Sequence, residues 1–496
     1  MSRHLSDAIK VHEFMSYQTL IGTATILVVS LLVRLFRSNR NLKFPPLRDS
    51  TSKGLGRILS EAYSEHPKSL FVLNAAHHPT VVLPILLLDE VKSLPEHQLS
   101  LAESFYHHFF GQYTSIGLPP AGAIKAIRLD LTNNIASSLD RLQDECAYAF
   151  STGVPECPAN TWTPVHVYPV LTRTIALLSG RVFVGLPLSR NDKWINLTVN
   201  YTLDAFHCLS KLRGYKNFVR PFVAPFLAET KAIRRHFADA KTLLKPVLEQ
   251  RLKDMATPGF QPPSDLLEWV IKQAGEDGKS LDYQVNSQIL VSLAAIHTTS
   301  QQLVHTIYDL ALRPEYVAPL REELEKILAE NNGALGKQSM AKLKKMDSFL
   351  KEVQRVNPIS MLSMTRYTTS TLKLSTGDTL PKGTHTAFSL AGVSRDPSIW
   401  DNAGEFDGFR FAKLRERPGQ EHSHQFVTTG KTSFAFGHGT HACPGRFFAS
   451  NEMKVILAHI ILHYDIQISE RPENIYSSTE ITPNPMAKVM FRRRKM

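Results

Sequence analysis

The first apolar run, Tyr17 to Phe36, reads YQTLIGTATILVVSLLVRLF, twenty residues whose only charge is Arg34. As a helix rising about 1.5 Å per residue it spans about 30 Å, the thickness of a bilayer core. A buried core helix or a signal peptide would share that apolarity. The run ends in RLFRSNRN, however, not in the small residues of a cleavage site. Arg3 and Lys10 before it are offset by Asp7 and Glu13, whereas Arg34, Arg37, Arg40 and Lys43 follow with no acid before Asp49. This asymmetry predicts a lumenal tail over residues 1–16, a single transmembrane helix over 17–36 and a cytosolic remainder. Residues 37–49 are basic and contain Phe44-Pro45-Pro46-Leu47, which reads as a stiff hinge. On the cytosolic side, Asn196-Leu197-Thr198 and Asn200-Tyr201-Thr202 are glycosylation sequons by spelling only.

Residues 50–496 show no repeat and no long linker, and read as one catalytic domain. Helical periodicity dominates from about 120 to 360. From Asp282 to Leu312 nothing interrupts the helical phase, and Arg313-Pro314 ends it. The middle of that helix, Ala294-Ala295-Ile296-His297-Thr298-Thr299-Ser300, is small and polar where a core helix should be bulky. It reads either as a face that something approaches closely or as a stripe turned to solvent. Residues 365–395 alternate, are rich in Thr and carry Thr-Gly-Asp and Pro-Lys-Gly turn signals, which predicts short strands. Helix returns after Cys443. The expected fold is mainly α with a small β portion, plus the N-terminal transmembrane helix.

Composition narrows the class. Hydrophobic residues make up 43% and charged residues 21%, ordinary globular usage. Four cysteines in 496 residues form no disulfide framework, which suits a reducing compartment. The net charge of +12 would suit nucleic acid, but neither basic cluster, at 34–43 or at 492–495, carries the interleaved aromatics of a nucleic-acid strip. No nucleic-acid partner is expected.

The candidate chemistry lies in FAFGHGTHACPGRFFA, residues 434–449. Three glycines and a proline surround Cys443 just before a helix, where the dipole and free amides favour a thiolate. Three uses stay open: a nucleophile with His441 as base, a crowded zinc site with His438 and His441, or an axial ligand to haem iron in a loop flat enough to lie against a porphyrin. Upstream, Glu352 and Arg355 share one helical face in KEVQR, and Arg410 stands between aromatics in FDGFRF. A buried Arg there calls for a partner such as Glu352.

Taken in order, the long helix with its small centre and Thr pair, then ExxR, then FxxFRF, then FGxGxHxCxGxxxA, resemble the cytochrome P-450 haem-thiolate monooxygenases, specifically the membrane-anchored fungal type of secondary metabolism. The resemblance runs from the anchor to the C-terminus. It implies haem b, iron protoporphyrin IX, with Cys443 as the metal ligand and Phe436 and Gly437 beside it. It implies a structural triad of Glu352, Arg355 and Arg410. Arg128 in IKAIRLDLT and Arg366 resemble haem-propionate partners, with Ile124 where the family keeps Trp. His441 stands where the family usually has Arg. Thr298 and His297 occupy the positions of the proton-handling pair, His297 replacing the usual acid.

The function so implied is an oxidoreductase at the endoplasmic reticulum membrane, using O2 to oxidise a C–H bond of a bulky apolar small molecule. Terpenoid, meroterpenoid and indole-diterpene intermediates are the expected substrate class. Phe105, Phe109, Phe110, Phe206, Phe218, Phe222 and Phe226 are the candidate pocket residues. The chain has no dinucleotide fingerprint, and Gln425 stands where a P-loop ending in Gly430-Lys431-Thr432 needs glycine. Electrons are therefore expected from NADPH–cytochrome P-450 reductase, met by Lys431 and Arg446, with membrane lipid as a further partner. Alternatives are a haem-thiolate desaturase or rearrangement catalyst, a non-catalytic haem-binding protein, and a cysteine hydrolase.

Overall fold

The computed structural model describes residues 54–74 and 78–495, together with Phe44. The expected lumenal tail, the anchor and all of the hinge except Phe44 lie outside the described residues. Among those described, no helix is long and apolar enough to cross a membrane.

The fold is mainly helical with small sheets. Its longer helices are α1 (Leu55–Glu65), α2 (Leu101–His108), α3 (Ile135–Gly153), α4 (Val167–Phe183), α5 (Asp192–Arg213), α6 (Ala228–Met255), α7 (Leu266–Ala274), α8 (Leu281–Leu312), α9 (Val317–Glu330), α10 (Lys344–Val356) and α11 (Arg446–His463). Short polar residues start several of them. Ser100 accepts from Glu103 N, Asn191 from Lys193 and Trp194 N, and Asp265 from Glu268 N, each satisfying amides left free in a first turn. The long helix read from the sequence is α8, 32 residues and so about 48 Å, followed at once by Pro314. It packs against α4, α5, α6 and α10. One hydrophobic core runs through these helices and α11.

The strands are β1 (Phe71–Leu73), β2 (Thr80–Leu83), β3 (Leu99–Ser100), β4 (Thr163–His166), β5 (Leu362–Thr368), β6 (Leu372–Lys373), β7 (Thr379–Leu380), β8 (His385–Ser389), β9 (Tyr464–Gln467), β10 (Ile475–Ser477), β11 (Glu480–Thr482) and β12 (Lys488–Arg493). The main sheet has the order β1-β2-β8-β5-β3, with only β2 and β8 parallel. A satellite core of Leu55, Leu59, Phe71, Val82, Met361 and Ala387 seats α1 on it. The β5–β8 register shifts between Ser363 and Arg366, where Met364 takes φ +52°, and this bulge sets the direction of Arg366.

Strands do occupy much of 365–395, but Leu390–Ser394 is helical. Ser389 accepts from Gly392 N at 3.0 Å and so caps a turn of helix that ends the strand. A Cβ on Gly392 would lie 2.5 Å from the Tyr63 ring, so only glycine lets this turn sit on α1.

Candidate active site

The cysteine loop is shaped by its glycines. Gly437 and Gly439 have φ of +68° and +76°, and a Cβ on Gly439 would stand 2.6 Å from Lys92 O. Ser363 Oγ donates to Phe434 O at 2.6 Å, tying the loop to the bulge of β5. Cys443 N donates to Phe436 O at 2.7 Å, which folds the chain back and lays Phe436 beside the cysteine. Phe426 braces the Phe436 ring edge-on at 5.2 Å. Cys443 lies deep, three residues before α11, yet protein covers it only partly, whereas Cys146, Cys157 and Cys208 are buried. Burial pushes its thiol up, and the Gly445 and Arg446 amides and the Arg446 guanidinium pull the other way. The amides at the start of α11 thus favour the thiolate, as the sequence suggests, while burial opposes it.

Arg128, Arg366 and His441 converge beside this loop. Arg128 lies in a π-helical turn, Ala126–Leu131, and donates to Thr440 O at 3.4 Å. Arg366 is 3% exposed, and burial pushes its guanidinium down to about 10. His441 Nε2 is 3.2 Å from Glu96 Oε1, and both burial and the neighbouring Arg366 lower its pKa. Arg128, His441, Glu96, His97, Ile124 and Thr369 line an open cleft of about 630 Å³. Glu96 is the acid that faces both His441 and Arg366. Glu96 and Lys92 were not singled out from the sequence. Nothing local marks them, since their partners lie some three hundred positions away.

Glu352, with no exposed surface, binds Arg355 through both oxygens at 2.7 and 2.8 Å and Arg410 Nε at 3.2 Å. The remaining guanidinium donors reach the carbonyls of Ser394, Ala403 and Glu405 from Arg355, and of Asp401, Asn402 and Glu405 from Arg410. Asp407 N also donates to Glu352 at 2.9 Å. A buried ion cluster is tolerable because so few of its groups lack a partner.

On α8, Ala294 and Thr298 are exposed although Ile296, Thr299 and Ser300 around them are buried. Thr298 Oγ1 donates to Ala294 O at 2.6 Å. The small centre therefore presents one narrow uncovered face rather than a broad polar stripe. His297 is not on it: its ring is buried against α5, with Nε2 2.9 Å from Val199 O, and burial lowers its pKa.

Other expectations change. Phe218, Phe222 and Phe226 are 64, 75 and 78% exposed on the proline-interrupted connection between α5 and α6, so they are surface rather than pocket. Phe206 is also exposed, Phe110 is buried, and Phe105 and Phe109 are partly covered. Arg446 donates to the carbonyls of Val427 and Cys443, and half-exposed Lys431 pairs with Asp89 at 2.6 Å.

Among the described residues no three His, Cys, Asp or Glu are placed to hold a metal ion. His438 bonds Thr429 at 3.0 Å and His441 pairs with Glu96, which removes the crowded zinc site. One sulfur ligand in a glycine cradle, with a cluster of cations alongside, fits a metal that brings its own equatorial nitrogens and two carboxylates. Haem is such a group.

Comparison with known proteins agrees. The family model described as Cytochrome P450 matches residues 135–491. The chain is 40% identical over 482 residues to cytochrome P450 monooxygenase BOA4 of Botryotinia fuckeliana, covering 96% of each chain. It is 36% identical over 466 residues to cytochrome P450 monooxygenase prx8 of Penicillium rubens, covering 91% of this chain and 85% of that one. It is also 35% identical over 479 residues to cytochrome P450 monooxygenase gliF of Aspergillus fumigatus, covering 94% and 95%.

Proposed function

Since the chain belongs to the cytochrome P450 family and is a haem-thiolate monooxygenase dependent on O2 and an electron donor, we propose that it hydroxylates a C–H bond of a bulky, largely apolar secondary metabolite, a terpenoid, meroterpenoid or indole-diterpene intermediate. The balance is RH + O2 + 2 e⁻ + 2 H⁺ → ROH + H2O. The observation that carries this reading is Cys443, only partly covered by protein, in a loop turned by Gly437 and Gly439 at positive φ.

Bound haem with a cysteinate ligand supplies dioxygen activation. The chain's residues divide the remaining work. Cys443 would hold the iron, with Phe436 beside the sulfur and Gly437 turning the loop at positive φ, and Arg128, Arg366 and His441 would hold the porphyrin's two carboxylates. Glu352, Arg355 and Arg410 fix the segment 394–410 behind the site. The Thr298 hydroxyl, on the uncovered face of α8, holds a proton for transfer. His297, on the buried face of α8, is a second proton-bearing group that would act only by releasing Val199 O.

The electron donor in this reading is NADPH–cytochrome P450 reductase at the endoplasmic reticulum, with residues 17–36 as the anchor and the catalytic part cytosolic. The exposed Phe218, Phe222 and Phe226, beside Lys216 and Arg220, suit contact with membrane lipid. A carbon-monoxide difference spectrum of reduced membranes tests the core of the proposal. A strongly red-shifted Soret band present in wild type and lost in Cys443→Ala is expected. Folded wild type without a haem signal would overturn it and bring back the cysteine-hydrolase alternative.

A further inference from the structure

The short turn at 425–428, ahead of the cysteine loop, closes on one backbone bond of its own, from Thr428 N to Gln425 O at 2.9 Å. Charged side chains hold the rest of it. Lys351 Nζ donates to Gln425 O at 2.7 Å and to Thr428 O at 3.2 Å. Asp347 Oδ2 accepts from Phe426 N at 2.7 Å. Arg446 Nε donates to Val427 O at 3.2 Å, while its Nη1 donates to Cys443 O at 2.8 Å. Each residue of the turn is thus tied through its backbone to a charged side chain, and one of those side chains also holds the cysteine.

Lys351 and Asp347 stand one turn apart on one face of α10 and are 3 and 5% exposed. Burying an ammonium and a carboxylate is costly unless each is well partnered. Lys351 Nζ has its two carbonyls and the Phe411 ring, whose centroid is 5.2 Å away. Asp347 Oδ1 meets Lys454 Nζ at 2.6 Å, and its Oδ2 also lies 3.5 Å from Arg415 Nη1. Lys454 belongs to α11, the helix that begins three residues after Cys443. The triad on the same helix holds 394–410; this second pair commits two buried charges to 425–428 and joins that turn to the helix of the cysteine. What the turn presents is Phe426, which has no exposed surface. Its ring meets Phe436 at an interplanar angle of 75°, and the Phe436 carbonyl accepts from Cys443 N.

Resting on the monooxygenase reading, we infer that Lys351 and Asp347 are positioning residues for the cysteine ligand: through the turn at 425–428 they fix Phe426 against Phe436 and so keep water from the Cys443 sulfur. The chemistry at stake is one proton transfer. When the turn is released, water reaches the thiolate, an S–H bond forms at the expense of a water O–H bond, and the medium takes up the hydroxide. No electrons move. A neutral thiol no longer gives the iron the electron density that a thiolate does, and the carbon-monoxide band loses its red shift.

The test follows the carbon-monoxide band of reduced, full-length holoenzyme in detergent as the red-shifted form gives way to the ordinary Soret position, with the thermal midpoint of each preparation measured alongside. Lys351→Met keeps the length of the side chain and removes both carbonyl bonds. Phe426→Leu leaves every polar bond of the turn in place and removes only the ring. Each should convert roughly tenfold faster than wild type, about the worth of one charge-assisted hydrogen bond. The double variant should convert no faster than the faster single, because both act along one route. Leu248→Ala, buried on α6 where that helix packs among α5 and α8, is the control for lost stability and should convert like wild type. Lys351→Met or Phe426→Leu at the wild-type rate overturns the inference, as does Leu248→Ala converting as fast as they do. Where Lys351→Met does not fold, Lys351→Gln, which can still donate to one carbonyl, takes its place under the same criterion. A wild type without the red-shifted band sinks the monooxygenase reading instead.

Discussion

Glu352 faces two arginines with no water to share the charge, so its removal leaves both guanidinium groups buried and uncompensated. Glu352→Ala should cost about 3–5 kcal/mol, enough to remove most of the stability of an ordinary domain. The measurement is the thermal midpoint together with the yield of haem-loaded protein, and a variant within about 1 kcal/mol of wild type would refute the triad's structural weight. Thr298 is a different kind of residue, since its side chain bonds only its own helix, at Ala294. Thr298→Ala should leave stability and haem content unchanged while diverting electrons: O2 then leaves as hydrogen peroxide, and product per NADPH falls about tenfold or more. Unchanged coupling would argue against a proton role. The sequence made these residues visible to unequal degrees. Spacing places Glu352 and Arg355 on one face, and aromatic framing marks Arg410 as buried. The carbonyls that make the cluster tolerable, at Ser394, Ala403 and Glu405, come from an irregular segment with no pattern. Likewise His297 and Thr298 are neighbours in the chain, but 100° of helical rotation puts one against α5 and the other on the uncovered face.

Among elements, α8 was readable end to end because nothing in it breaks helical phase and a proline stops it. The strands outside 365–395 were not, although those within it were expected from alternation and turn signals. β2 is four residues long and pairs with β8 across three hundred positions, and β4 likewise finds β12 from the far end of the chain. Nothing local distinguishes such segments from loop. One contact between elements sets a pH response. Glu452 of α11 is fully buried, takes a 2.8 Å bond from Ser179 Oγ of α4, and leaves Oε2 without a partner. Desolvation pushes its carboxyl from 4.5 to about 8. The folded chain therefore keeps a proton that the unfolded chain releases, so this group lowers stability progressively as pH rises between those values. Glu452→Gln keeps a polar group facing Ser179 and cannot ionise. Its stability relative to wild type should grow by up to about 1.4 kcal/mol per pH unit across that window and then level off. Thermal midpoints of the pair at pH 6 and pH 8 decide it, and a gap independent of pH would refute the assignment.

For the whole molecule, the question is which parts carry membrane affinity and which carry the fold. The described core begins at Leu55, and every cluster that seats the cysteine loop draws on residues beyond it. A chain lacking residues 1–36 should therefore still give the red-shifted carbon-monoxide band. It should also lose most of its affinity for vesicles, because a largely apolar run of twenty residues contributes far more than any surface patch. A residue of binding should persist through Phe218, Phe222 and Phe226, whose exposure is 64, 75 and 78%. Each buried phenylalanine is worth about 1.5–3 kcal/mol, and Lys216 and Arg220 beside them favour anionic lipid. Replacing the three by serine in the shortened chain should abolish vesicle binding while leaving the spectrum intact. If the shortened chain pellets with vesicles as fully as the intact one, the anchor assignment for residues 17–36 fails; if the serine variant binds like its parent, the aromatic patch has no part in it.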